Sequence, residues 1–233
     1  MMTIARTVTL CAIGLAWSTQ ALDAQNLSRY RTFDLGSNLA AVSTATGVPP
    51  SEAKTVHQRP AVLQDLEWRP SRWAAGVNAP SNDPVERIFF SFYNDQLFRI
   101  VVDYSHDRTE GLTQADLIEA LSVVYGAVIP KTTRSTGRVA AQVETESGSP
   151  FARWGDAEHS VAAYQTSSYR TAFRLIVTDV PRAELARKAD VESQRLDIQE
   201  APQREIVRQN KERDDQQAAA AKARSTNKGV FQP

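Results

Sequence analysis

Two neighbouring stretches of the chain alternate apolar and polar side chains with a period of two. In RIFFSFY (87–93) and LFRIVVDY (97–104) the even positions Ile88, Phe90, Phe92, Phe98, Ile100, Val102 and Tyr104 are all apolar. The odd positions mix Arg87, Ser91, Arg99 and Asp103 with Phe89 and Val101. One cleaner face marks half-buried strands, here an antiparallel hairpin. Paired residues share a face, so the apolar sets meet only in a register such as Phe92 opposite Phe98. That register predicts an odd loop, Asn94–Asp95–Gln96, because a one-residue slip would turn the core face to water. Its third position favours a left-handed conformation, in which Gln96 is a misfit.

The flanks supply elements to cover that hairpin. Thr113 with Asp116 three residues on predicts a capped helix that carries Leu117, Leu121 and Val124 on one face, with Ile118 and Tyr125 beside them and Gly126 closing it. Upstream, residues 25–34 read as a polar approach. A short helix lies within 36–54, capped by Ser37, striped by Leu39 and Val42 and stopped by Gly47, Pro49 and Pro50, with a further turn from Ser51. Ala61–Trp68 reads as a strand and 74–86 as loop. In the second half a short strand, Arg138–Val143, sits in a Thr/Ser/Gly-rich stretch. A strand around Trp154 follows, and then a strand pair, 160–165 and 171–180, joined by 166–170.

Both halves parse alike: a helix ending in Gly, a strand bearing a Trp, then two paired strands. The fold class expected is α+β, with one six-stranded antiparallel sheet in two αβββ-like halves and short helices on one face. The other parse is a single irregular α+β domain. From Arg182 the composition changes: residues 181–233 hold 11 basic and nine acidic side chains. Pro181 suits a first helical turn. Leu185, Leu196 and Val207 recur every eleven residues as a thin stripe, and Pro202 interrupts it. Such a segment is a solvated helix docked by a few residues, or partly disordered. A coiled-coil partner site is the sharper alternative.

Residues 1–24 have the pattern of a secretory signal peptide: Arg6, a short apolar run (8–17), and small residues that allow cleavage after Ala21 or Ala24. The run is too short to span a bilayer, so no stable membrane insertion is expected after cleavage, and a periplasmic or secreted location is. The lone cysteine, Cys11, lies in that leader. The remaining chain, domain 25–180 and tail 181–233, therefore lacks the means for a disulfide, a thiolate nucleophile or a Cys zinc site. With 27 basic and 27 acidic residues the formal charge is zero, which points away from nucleic acid.

Chemistry-bearing patterns are sparse. GxSxG, HExxH and a Gly-rich phosphate loop are all missing from the sequence, and no cofactor is implied. An alternative metal set would draw His106 and Asp107 from one loop and Asp156 and His159 from another. Aromatics beside arginines mark a candidate binding surface: Trp68, Arg69, Arg72 and Trp73 in WRPSRW, and the pair Arg153 and Trp154. The competing reading puts Trp68 and Trp154 in the core with their arginines in solvent.

FDLGSNLAAVSTATGVP (33–49), through Gly36, Val42, Gly47 and Pro49, resembles the first helix of the SmpA/OmlA-type small bacterial envelope domain. That family serves in outer-membrane β-barrel assembly and shares its fold with β-lactamase inhibitor proteins. The resemblance implies helices on one side of an antiparallel sheet and transfers no binding residue. The expected function is a non-catalytic periplasmic binding or envelope-assembly module, meeting a protein or peptide through its sheet surface or its C-terminal helix. The alternative is a metal-dependent envelope hydrolase using the His106 and His159 loops.

Overall fold

Residues 26–70, 83–130, 149–166 and 170–230 are described by the computed structural model of the chain. The leader 1–24, Arg72, Trp73 and the expected strand Arg138–Val143 lie outside them. A small hairpin, β1 (Arg29–Tyr30) and β2 (Phe33–Asp34), leads into α1 (Leu39–Thr46), one 3-10 turn at Pro50–Glu52, β3 (Lys54–His57) and β4 (Leu63–Trp68). Then come β5 (Val85–Tyr93), β6 (Gln96–Ser105), α2 (Gln114–Tyr125), β7 (Ala152–Gly155), β8 (His159–Gln165), β9 (Thr171–Asp179) and α3 (Val180–Val230).

The main sheet is antiparallel with the order β3-β4-β5-β6-β9-β8-β7. From the β6/β9 seam outward, β5 and β4 on one side repeat β8 and β7 on the other, so each half is a helix and three strands. This is the α+β architecture the sequence predicts. It holds seven strands rather than six, because after the 3-10 turn β3 forms where further helix is expected from Ser51.

One face of the sheet carries the core. Leu66, Ile88, Phe90, Phe92, Ile100, Val102, Val161, Leu175 and Val177 are buried there beneath Leu39 and Val42 of α1 and Leu117, Ile118, Leu121 and Tyr125 of α2. The N-terminal hairpin belongs to the same layer: Leu27, Tyr30 and Phe33 are buried. Residues 26–34 are thus a plug rather than the polar approach expected over 25–34, since Arg29, Arg31 and Asp34 face outward while their neighbours point in.

The central hairpin reaches the expected parity by another route. Its turn has two residues, Asn94 (φ 45°) and Asp95 (φ 64°), both left-handed, with Tyr93 opposite Gln96. The register is Phe92 opposite Leu97 but Ser91 opposite Arg99, so Phe98 is the extra residue of a β-bulge. Leu97 takes the core place expected for Phe98, and beyond the bulge Phe90 meets Ile100 and Ile88 meets Val102. Asn and Asp tolerate positive φ through their short polar side chains, which is why this turn needs no glycine. Asp95 also accepts the Leu39 N–H at 2.9 Å, tying the turn to the start of α1.

Caps define both short helices. Asn38, rather than Ser37, caps α1 by accepting from Ala41 N–H at 2.8 Å, and Gly47 ends it at φ 73°. Thr113 and Asp116 form a reciprocal capping box on α2. Thr113→Ala is therefore expected to cost about 1 kcal/mol, read as a shift in the urea midpoint. The inward face of α2 differs by one residue from expectation: Val124 is 54% exposed while Tyr125 is buried and donates to Arg29 O at 3.2 Å.

α3 turns back over the opposite face of the sheet. Its buried residues are Ala183, Ala186, Ala189 and Ser193. The Leu185, Leu196, Val207 stripe does not dock it, since Leu185 and Val207 are exposed. Small side chains on the inward face let the helix axis lie close to the strands. Past Glu200 every described residue is exposed, so 201–230 projects as an arm of about 45 Å at 1.5 Å per residue. Ion pairs along its own surface, such as Arg208 between Glu205 (2.7 Å) and Glu212 (2.9 Å), suit a helix that is polar all round.

Candidate functional site

The face of the sheet away from α1 and α2 is built in rows, because residues paired across strands point the same way. Asp65, Ser91, Arg99, Thr178 and Ser160 stand in direct register across β4, β5, β6, β9 and β8. Two residues along each strand, Phe89, Val101, Ile176 and Ala162 make an apolar row, part of a second small core with Tyr164. The next row is charged. Asp103 is 0% exposed and accepts from Arg87 Nε at 2.8 Å and from Arg174 Nε at 2.6 Å, with those arginines directly opposite it on β5 and β9.

α3 roofs the polar row at one end. Asp179 accepts from Arg182 N–H at 2.9 Å and so caps the helix start, and Arg182 Nε reaches Gln96 at 2.8 Å. Farther along, Arg59 pairs with Asp197 at 3.3 Å and also with Glu200. Asp197 is held below its ordinary carboxylate value by hydrogen bonds from Arg204 and then Arg59, and Glu200 by the same two arginines with Arg59 first.

On this face lie two adjoining cavities that share Asp65, Ser91 and Arg99, one under α3 and one over the sheet alone. The larger, about 280 Å³, extends under α3 to Val56, Leu63, Phe98, Ala183 and Ala186. The smaller, about 180 Å³, runs over Phe89, Val101 and Ile176. At their junction the Nε of Arg99 is buried with no hydrogen-bond partner. Arg99 lines both cavities and makes no ion pair among the described residues.

A Ser–His–Asp array stands beside the larger cavity. Ser193 Oγ lies 2.9 Å from His57 Nδ1 and His57 Nε2 lies 2.7 Å from Asp190. The carboxylate only accepts, so Nε2 donates to Asp190, while Nδ1 shares a hydrogen bond with the serine hydroxyl. The array is a fastening between β3 and α3 rather than a catalytic triad. Ser193 is 3% exposed and sits inside a helix, where neighbouring backbone N–H groups are engaged in the helix itself and cannot form an oxyanion hole.

The sequence-derived candidates are dispersed. Trp154 is 1% exposed in the core and donates to Ser122 Oγ at 3.2 Å, and Trp68 is half-buried against Phe33 with ring centroids 5.7 Å apart. These two tryptophans read correctly as core. They lie on strands five positions apart in the sheet order, about 24 Å at the usual spacing, and form no joint surface. Arg69 pairs with Glu67 at 2.7 Å, and Arg153 points to the reverse face near Tyr164. His106 and Asp107 follow β6, where His106 N–H bonds Arg170 O before β9 begins. His159, with Asp156 in the preceding turn, pairs with Asp179 where β9 ends. The nine residues of β9 hold these loops about 30 Å apart, and among the described residues no group of three or more potential ligands gathers.

Sequence reading missed Ser91, Arg99 and Thr178 as a site because polar positions off the core face pass for solvent-facing ones. The available signal was Phe89 and Val101 on the same face, since a mixed face implies partial cover. Among the described residues no helix is long and apolar enough to cross a membrane. Comparison with known proteins gives no match to any family model, curated protein or solved structure.

Proposed function

We propose that this chain is a non-catalytic binding or assembly module of the bacterial envelope, which receives a polypeptide partner on the reverse face of its sheet and carries a rigid helical arm. The observation that carries this reading is Arg99, which lines two adjoining cavities, one of them under α3, and makes no ion pair among the described residues. The signal-like leader supports export. A layout with α1 and α2 on one side of an antiparallel sheet agrees with what the SmpA/OmlA-type resemblance implies.

The arm and the groove are separable. Truncation after Glu200 removes only exposed helix, so it should leave the melting temperature nearly unchanged. In a pull-down from envelope extract, the full chain is expected to hold a partner that is lost on truncation, on Arg99→Gln, or on both. Identical capture by all three proteins would overturn the reading.

A further inference from the structure

We propose that the groove takes the last residue of a polypeptide, with its free α-carboxylate on Arg99 and its apolar side chain under α3. This rests on the binding-module reading above. Arg99 stands between the Ser91 and Thr178 hydroxyls in direct register on either side, so three donor groups line up at strand spacing, about 4.8 Å apart. A carboxylate offers two oxygens with about four acceptor sites, and an arginine fork binds it through two parallel N–H bonds. Arg187, also at the groove, is already held by Glu184 at 2.6 Å, and Arg174 by Asp103. Arg99 is left as the lining cation without a counter-ion among the described residues.

Beside Gln64 and the His57-bound Asp190, the remaining lining offers groups that match the rest of a terminal residue. Asp65, next beyond Ser91 in the row, makes no ion pair with Arg99 and suits the N–H of that same residue. The cavity of about 280 Å³ has apolar walls from Val56, Leu63, Phe98 and Ala186. At about 280 Å³ it has room for one apolar side chain together with its terminal carboxylate. The preceding residues leave over Phe89, Val101 and Ile176 toward the open sheet.

Calorimetry with the full chain tests this, using a tripeptide acid ending in leucine, its carboxy-terminal amide, and free leucine. The acid should bind saturably, and the amide at least about tenfold more weakly, since a charge-assisted pair is lost. Arg99→Gln should weaken the acid to the same degree with its melting curve retained, whereas Lys211→Gln on the arm should change nothing. Equal binding of acid and amide, saturable binding of neither, or free leucine binding as tightly as the tripeptide would overturn the assignment. The acid–amide comparison needs no variant, so it holds even if Arg99→Gln misfolds. A partner still captured by Arg99→Gln and lost on truncation would leave the binding module standing without the groove.

Discussion

Asp103→Ala is expected to cost about 3–5 kcal/mol, a large share of the roughly 5–15 kcal/mol that holds a typical domain together. Asp103 lies on β6 at the centre of the sheet, fully buried, with Arg87 and Arg174 opposite it on the two neighbouring strands. Arg174 reaches it twice, through Nε at 2.6 Å and Nη2 at 3.1 Å, and Arg87 through Nε at 2.8 Å. Without the carboxylate, two half-buried guanidinium groups face each other across one strand. Each has lost the Asp103 carboxylate and keeps its desolvation penalty, though Arg87 retains the Phe89 ring 4.9 Å from its Cζ. Arginine does not shed its proton to relieve this. The measurement is the urea midpoint, with Arg87→Met, Asp103→Val and Arg174→Met combined as the control. A triad made wholly apolar should recover much of the loss, because the cost lies in breaking the set rather than in lacking it. An unchanged midpoint for Asp103→Ala alone would mean that the triad is solvated.

That triad shows where sequence reasoning stops. Period two revealed which residues of β5 and β6 share a face, and it also required that Phe90 meet Ile100. Parity leaves loop length open, because an odd loop and a two-residue turn with a bulge place the same residues together. Local chemistry at Asn94 and Asp95 decided between them, with both residues accepting positive φ. Helix ends were legible for the same local reason, save that Asn38 outcompeted Ser37 one residue away. The reverse face was not legible. Arg87, Ser91, Arg99 and Asp103 alternate as solvated positions would, and only the return of α3 across the strands covers part of them. That return depends on alanines at 183, 186 and 189, and a stripe of alanine carries little hydrophobic signal against a background of charge. Contacts between distant segments, such as His57 with Asp190 and Ser193, leave no periodic trace in either partner.

Phe33→Ala gives the second large effect, about 3–5 kcal/mol, from a segment that reads as a polar lead-in. Phe33 is 4% exposed, and its ring lies 4.7 Å from that of Phe90 and 5.7 Å from that of Trp68, centroid to centroid. It joins Leu27 and Tyr30 in the same core layer as Leu39 and Val42 of α1. Truncation would remove the ring's own burial and open a cavity over Phe90, a central and fully buried side chain that cannot follow it outward without losing its pairing with Ile100. The aromatic pairs add roughly 0.5–1.5 kcal/mol beyond burial. Phe33→Leu should recover more than half of the loss, since it refills most of the volume and forfeits mainly the ring contacts. Arg29→Ala, on the same hairpin but facing water with Asp34, should shift the urea midpoint little. If Phe33→Ala and Arg29→Ala proved equally mild, the hairpin would be resting on the domain rather than plugging it, and the core would end at Trp68.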